Sequence, residues 1–319
     1  MKRALITGGT GFVGANLAYR LVKDGHEVFL LLRPDANRWR LSALSGHVTL
    51  LEADLRDREA VEARVKAIKP DWAFHLGVYG AYPGETDLEQ MVHTNILGTI
   101  NLVRACVKSG AEALVNAGSS SEYGFKSMPP SETDLLEPNS HYAWTKAAAT
   151  HYCRQVATQC DVRLTTLRLY SVYGPYEEPG RLIPTLIARG LTGHLPPLVS
   201  PDIVRDFVFV DDVVSAFVLA VQSRTEERGA VFNVGTGIQT TMKEAVDIAV
   251  RCMHISDAPV WGTMTVRQWD STTWVSDSSK IQAELGWRPR IMFEQGFELT
   301  ANWLRDRPEL HERYGATEV

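Results

Sequence analysis

The sequence predicts an α/β protein, a doubly wound parallel sheet followed by a smaller C-terminal α/β lobe. Three observations carry that prediction. Over the first 170 residues, short aliphatic and β-branched runs alternate with longer helical patterns, the signature of stacked βαβ units. A glycine-rich segment joins the first such run to the first helical pattern. After Gly174-Pro175 the rhythm breaks into Pro/Gly-rich pieces (Pro179-Gly180, Gly193, Pro196-Pro197, Pro201).

Taken in order, strands are expected at 3–7, 27–32, 48–52, 72–76, 113–117 and 163–169. Helices are expected at 12–24, 57–68, 86–109 and 140–160, with Gly25, Pro70 and Gly110 as stops. Right-handed crossovers put helices on both faces of the sheet. Short strands and helices return over 206–234 and 240–253. The expected division is therefore 1–174 and 175–319, with elements shared across a soft boundary. No internal repeat or low-complexity tract is visible.

The 319 residues, 45% hydrophobic and 22% charged, suit a globular chain with a substantial core. A net charge of −5 supplies no broad basic field, so neither nucleic acid nor an anionic membrane surface is an expected partner. Cys106, Cys153, Cys160 and Cys252 form no CxxC pair or disulfide spacing and read as reduced structural thiols. Met1-Lys2-Arg3 runs directly into an apolar strand with no leader-like region, and no membrane-length apolar run follows. A cytoplasmic enzyme is expected.

Thr7-Gly8-Gly9-Thr10-Gly11-Phe12-Val13-Gly14 has GxxGxxG spacing between a strand and an amphipathic helix. Small residues fall where the turn is tight and where a pyrophosphate approaches the backbone, with the helix N-terminus facing the phosphates. An NAD(P) dinucleotide is the implied cofactor. At the end of the second strand, where NAD-binding proteins carry Asp or Glu for the ribose 2′-hydroxyl, this chain has Leu32-Arg33. Arg33, helped by Arg38, can pair with the 2′-phosphate of NADP, which favours NADP(H) over NAD(H); a solvated Arg before Pro34 is the alternative. Asp54-Leu55 can hold the adenine amine, and Asp54 can equally cap the next helix. His75-Leu76-Gly77 ends the fourth strand and lets the chain lie along the cofactor, with His75 itself read as packing.

Tyr142-Ala143-Trp144-Thr145-Lys146 opens a helical pattern, and the i,i+4 spacing sets phenol and ammonium one turn apart on one face. An adjacent positive charge is expected to lower the Tyr142 pKa, making it a proton donor to an alkoxide or an acceptor from an alcohol. Gly118-Ser119-Ser120-Ser121-Glu122-Tyr123-Gly124 follows the fifth strand, on the carboxyl edge where open parallel sheets place ligands. A serine there can orient a substrate carbonyl or merely serve the turn.

Together with Asn95 in NILGT, Arg168 to Pro175, Arg205 to Asp212, Asn233-Val234-Gly235 and Leu285 to Pro289, these motifs resemble the extended short-chain dehydrogenase/reductase family, in its nucleotide-sugar epimerase, dehydratase and ketoreductase branch. The resemblance spans nearly the whole chain and implies a Rossmann-type sheet. It implies Ser119, Tyr142 and Lys146 as the catalytic trio, Lys146 also on the nicotinamide ribose. Asn95 is implied in a proton relay or in support of the active-site backbone. By the same resemblance Tyr170-Ser171-Val172 lines the nicotinamide and substrate side, Tyr79 faces the substrate, and Arg181, Arg205 and Arg267 grip a nucleoside diphosphate. The chain departs from the family where Ser171 replaces the usual Asn, where HLGVYG replaces an HLAA-type block, and where the carboxylate for NAD is missing.

GSSSEYG looks closest to 4-ketoreductases of nucleotide-activated 6-deoxyhexoses, which is the favoured reading. A second register sets Ser120, Ser121 and Glu122 against the acid/base triplet of 4,6-dehydratases, and 4-epimerase is a further option. A non-catalytic cofactor sensor is a different class, against which intact Tyr142 and Lys146 speak. Family members are often dimers through helices corresponding to 86–109 and 140–160, so a homodimer is expected. His151 and His194 have no metal-ligand constellation, and Trp261, Trp269 and Trp274 read as lobe packing.

Overall fold

Strands buried on both faces read as continuous apolar runs, and successive side chains go to opposite sides. The computed structural model describes residues 1–82, 84–264 and 271–315 and shows where those faces go. In chain order the first half holds β1 (Arg3–Thr7), α1 (Phe12–Lys23), β2 (Glu27–Leu32), β3 (Val48–Glu52), α2 (Arg58–Ile68), β4 (Trp72–His75), α3 (Leu88–Met91), α4 (Gly98–Ser109), β5 (Ala113–Ser119), α5 (His141–Gln159) and β6 (Arg163–Leu169). Ile6, Leu30, Phe74 and Val115 pack against Leu17 and Leu21 of α1 on one face. Leu5, Leu31, Ala73 and Leu114 meet Val61 and Val65 of α2, Leu102 and Cys106 of α4, and Cys153 of α5 on the other.

Two elements differ from expectation in ways that serve the site. The single helix expected over 86–109 is α3, a π-helical turn over Val92–Leu97, and α4. Such a turn carries one extra residue and re-aims a side chain, and here it contains Asn95. β5 runs to Ser119 rather than ending at 117, which carries Ser119 to the carboxyl edge of the sheet. A short 3₁₀ helix over Trp39–Leu44 lies between β2 and β3, where the sequence carries no periodic signal.

The second half contributes β7 (Ser171–Tyr173), α6 (Leu182–Gly190), β8 (Val204–Arg205), β9 (Phe207–Phe209), α7 (Val210–Gln222), β10 (Val231–Val234), β11 (Thr240–Thr241), α8 (Met242–Met253), α9 (Ser279–Leu285) and α10 (Phe293–Arg305). β10 pairs with β6, completing a seven-stranded parallel sheet of order β10-β6-β5-β4-β1-β2-β3. The order reverses direction between β1 and β4, the switch point at whose carboxyl edge such sheets bind ligands. α7 packs Val213, Phe217 and Val221 into the same core as α1. Around the remaining lobe, β7 pairs with β9 and β8 with β11. Leu186 and Ile187 of α6, Ala245 and Val246 of α8, and Phe297 of α10 form its separate core. No helix among the described residues is long and apolar enough to cross a membrane.

Candidate active site

The glycine turn after β1 is built so closely that side chains would not fit. Gly8 has φ +69°, and a Cβ there would stand 2.5 Å from the Leu76 carbonyl carbon; a Cβ on Gly14 would stand 2.2 Å from the Gly8 oxygen. Gly11 caps α1 with no side-chain acceptor on the first amides, and Phe12 and Val13 open the helix. At Gly77 a Cβ would lie 2.7 Å from Leu55 Cδ1, so Leu76-Gly77 and Leu55 close over the same edge. This is a cradle of backbone and amide dipoles shaped for a dinucleotide diphosphate.

Past the carboxyl ends of β2 and β3 the ion pairs bear on two expectations. Arg33 follows β2 with its side chain 55% exposed and its guanidinium 3.6 Å from Asp35. Arg38, expected to help it, is bound instead to Glu52 at 2.8 Å. Asp54 accepts from Arg56 at 2.7 and 3.0 Å, and that guanidinium holds its carboxyl below the usual range. Capping of α2 falls to Asp57, which accepts from the Ala60 amide at 3.0 Å, so Asp54 is not the cap.

At the centre of the edge, Ser119 ends β5 and starts a one-turn 3₁₀ helix with a capping box: its Oγ accepts from the Ser121 amide at 3.2 Å. Its own amide donates to Glu122 Oε1 at 2.8 Å. Glu122 is fully buried and has no oxygen to spare. Thr150 donates to Oε1 at 3.1 Å and Arg168 to Oε2 at 2.9 Å. Arg168 also donates to the Tyr123 hydroxyl at 2.8 Å, which donates to Asn233 at 2.7 Å. Glu122, a candidate catalytic residue by sequence, therefore braces Ser119 against β6 and β10. Ser120 is buried and lines a cleft with Tyr123, Tyr170 and Trp274. Trp274, read from sequence as packing, borders this cleft.

Tyr142 and Lys146 lie in the first turns of α5, capped by Ser140 through the Ala143 amide at 3.2 Å. The expected lowering of the Tyr142 pKa is not found. Burial pushes it up to about 12, against a hydrogen bond from Ser119 and the charge of Arg181. Lys146, itself pulled down by burial, donates to the Ala117 carbonyl of β5. Helical spacing puts the two residues on one face, but desolvation outweighs any charge effect of the pair. Asn95 is 2% exposed and acts on the backbone: it accepts from the Tyr79 amide at 2.9 Å, and donates to the Tyr79 carbonyl at 2.8 Å and to Thr145 at 3.0 Å. His75 is buried between the hydroxyls of Thr7 (2.7 Å) and Thr99 (2.8 Å), with its pKa lowered to about 3 by burial.

On the opposite wall, Tyr170 is buried and its hydroxyl has no hydrogen-bond partner among the described residues. Ser171 opens β7, its amide donating to the Asp206 carbonyl at 3.0 Å, and Val172 packs against the main core. Arg181 caps α6 and donates to the Ala81 carbonyl at 2.7 Å, with its guanidinium 5.5 Å from the Tyr82 ring centre. Arg205 donates to the Val204 carbonyl at 2.7 Å and lies 5.9 Å from the Trp274 ring. Arg267 and Trp269 lie outside the described residues. Tyr82, which faces the Arg181 guanidinium, was not singled out from sequence; its only signal was its place in the loop after His75-Leu76-Gly77.

With this geometry in view, comparison with known proteins is decisive. The model of the NAD dependent epimerase/dehydratase family matches residues 4–235. The chain belongs to that family. A UDP-glucose 4-epimerase of Mycolicibacterium smegmatis is 28% identical, over 96% of this chain and 100% of that one. A dTDP-glucose 4,6-dehydratase of Xanthomonas campestris is 27% identical, over 95% and 93%. Among solved structures, a Thermus thermophilus UDP-glucose 4-epimerase in complex with NAD superposes with a TM-score of 0.84 at 31% identity, covering 95% of this chain and 99% of that one. As a member of the epimerase/dehydratase family, of the extended short-chain dehydrogenase/reductase type, the chain is an NAD(P)-dependent nucleotide-sugar enzyme. The end of β5 thus gathers groups suited to proton transfer at a carbonyl or alcohol: the Tyr142 phenol against Ser119, and the buried Lys146 on the Ala117 carbonyl.

Proposed function

We propose that the enzyme reduces the 4-keto group of a nucleoside-diphosphate 4-keto-6-deoxyhexose, with NADPH as the favoured cofactor. The observation that carries this is the pairing of Tyr142 with Ser119 at the sheet edge, beside Ser120 and Ser121 and with Glu122 committed to Arg168. A dehydrating site needs a free base beside the sugar ring, and a carboxylate with both oxygens bound inside the core is a poor candidate. Tyr142 gives its proton to the sugar oxygen at C4, and Ser119 orients that oxygen. Lys146 holds the ribose next to Tyr142, and Asn95 keeps the Tyr79 backbone and Thr145 in register.

Gly8, Gly11, Phe12, Val13, Asp54, Leu55, Leu76, Gly77, Tyr170 and Val172 would hold the dinucleotide, whose nicotinamide supplies the hydride when bound. Arg33, with no carboxylate in its place, suits a 2′-phosphate. Arg181, Arg205 and Arg267 would take the substrate diphosphate through charge-assisted bonds, with Tyr79 and Ser171 beside the sugar. The exposed Leu97 and Trp144, on the two helices expected to pair between subunits, support a homodimer.

A second reading, 4-epimerisation with the cofactor retained through turnover, is favoured by the epimerases among the relatives. The two are separated by incubating purified protein with nucleoside-diphosphate hexoses and their 4-keto-6-deoxy derivatives, with NADH and with NADPH. Reduction consumes NADPH in step with a 6-deoxyhexose product. Interconversion of C4 epimers without net cofactor consumption would replace it, and a 4-keto-6-deoxy product from an unmodified sugar would identify a dehydratase.

A further inference from the structure

We propose that Arg40 is a positioning residue that couples seating of the dinucleotide to Arg181, so that cofactor and nucleoside diphosphate bind cooperatively. The inference rests on the assignment of Arg181 to the diphosphate made above. Arg40 comes from the 3₁₀ helix between β2 and β3 and is 5% exposed. Its guanidinium divides its donors between two regions. Nη1 donates to the Thr10 carbonyl in the glycine turn at 3.2 Å. Nε donates to the Tyr176 carbonyl at 2.7 Å, and Nη2 to the Glu178 carboxylate at 2.8 Å. Only a planar fork with fixed donor directions spans three such acceptors, which a lysine does not.

The strap that Arg40 holds, residues 175–181, leads straight to the substrate wall. The Glu178 carbonyl accepts from the Arg181 amide at 3.0 Å, and Arg181 reaches across to Ala81 and Tyr82. Further contacts stitch the same strap to α1: Asn16 donates to the Pro175 carbonyl at 3.0 Å, and Tyr176 stacks on Tyr19 with ring centres 5.5 Å apart. Tyr176 sits at φ +71°, a conformation that costs a tyrosine energy and persists only where the surroundings over-determine it. Beside it Glu177 is buried with one carboxylate oxygen lacking a hydrogen-bond partner among the described residues. The strap is thus held in a strained and polar conformation by ties to the cofactor turn. Any displacement of the Thr10 carbonyl by a bound diphosphate is carried by one planar guanidinium to Glu178, whose carbonyl holds the Arg181 amide.

The test is calorimetric titration of the full chain with UDP, dTDP, GDP and CDP, with and without saturating NADP⁺. The expected result is that the best-bound of these nucleotides binds about 5- to 150-fold tighter with the cofactor present, the usual range for coupled sites. In Arg40→Met that ratio falls toward one, while Arg40→Lys keeps the charge without the fork and restores little of it. Glu178→Gln, at a side chain 42% exposed, removes one tie without endangering the fold and should lose part of the ratio; it decides the matter if Arg40→Met does not fold. A merely structural Arg40 would lower the melting temperature and weaken both ligands equally, leaving the ratio intact. That outcome, or a wild-type ratio of one, overturns the coupling. Failure of all four nucleotides to bind would instead break the assignment of the site itself, and the coupling with it.

Discussion

The two walls of the active-site cleft are held by different means. On the sheet-edge wall, Ser119, Glu122, Asn95 and Lys146 are buried, and each is bonded to the backbone or side chains of β5, β6, α5 or the π-helical turn. On the wall proposed for the substrate, Arg181 stands at the first turn of α6 and rests on the loop after β4, and Arg205 belongs to a two-residue strand. A site carried on strands and packed helices keeps its geometry, whereas one carried on loops can be retuned without touching the core. On the proposed assignment, chemistry sits on the first kind of support and substrate choice on the second, an arrangement that suits a family whose members bear epimerase and dehydratase names.

The largest expected effect lies on the rigid wall. Tyr142→Phe removes the proton donor and nothing else of the ring, so turnover should fall by about 10²- to 10⁴-fold while cofactor affinity, measured by fluorescence titration, stays within a few-fold. Turnover near wild type would place the proton on another group and dissolve the contrast between the walls. Next comes the brace behind Ser119. Arg168→Met leaves the Glu122 carboxylate buried without its cation, which should cost about 3–5 kcal/mol of stability in urea unfolding. The double variant Glu122→Gln/Arg168→Met should recover most of that. If the single variant loses under about 1 kcal/mol, the pair does not organise this edge.

The sequence revealed these walls unequally, for a physical reason. The glycine turn and the Tyr142/Lys146 pair are local: their meaning is contained in spacing within one turn or one helix, and both were legible. The six strands of the first half were legible too, because each is a short aliphatic or β-branched run between turn signals, whether buried on both faces like β1 or half-exposed at the sheet edge like β3. Arg40 and Tyr82 were not, since their partners lie far away in the chain; Arg40 meets Glu178 at a separation of 138 residues, and Arg181 meets Ala81 at 100. No periodicity encodes such pairs. The π-helical turn at Val92–Leu97 was hidden for another reason: an apolar pattern continues through it, and only the backbone registers the extra residue. The pairing of Glu122 was hidden as well: a carboxylate beside serines suggests chemistry, while the charge that binds it, Arg168, arrives from the following strand.

A smaller effect sharpens the other side of the comparison. Arg181→Ala removes a charge-assisted donor expected on the diphosphate, and its loss should raise the KM for the nucleotide sugar by about 10- to 100-fold, at roughly 1.5–3 kcal/mol for a bond to a charged group. kcat at saturation should change far less, because Tyr142, Ser119 and Lys146 do not depend on the loop. A drop in kcat with unchanged KM would move Arg181 to the chemical side of the cleft.

The smallest effect concerns how the rigid wall is anchored at the floor of the cleft. His75 is neutral in the folded chain, bonded to Thr7 and Thr99 on adjacent elements, with its pKa near 3 rather than the ordinary 6.5. Once unfolded, the imidazole takes up a proton below pH 6.5, whereas the folded form resists until about pH 3. The unfolded state therefore binds more protons throughout that window, and stability is fully present above pH 6.5 and declines as pH falls toward 3, by about 1.4 kcal/mol per unit at most. Unfolding by urea at pH 7.5 and 5.5 measures the slope. His75→Asn should be less stable at both values yet lose less between them, since asparagine does not titrate. An equal loss in wild type and variant would assign the acid sensitivity to other groups and leave His75 a packing residue without a proton-linked role.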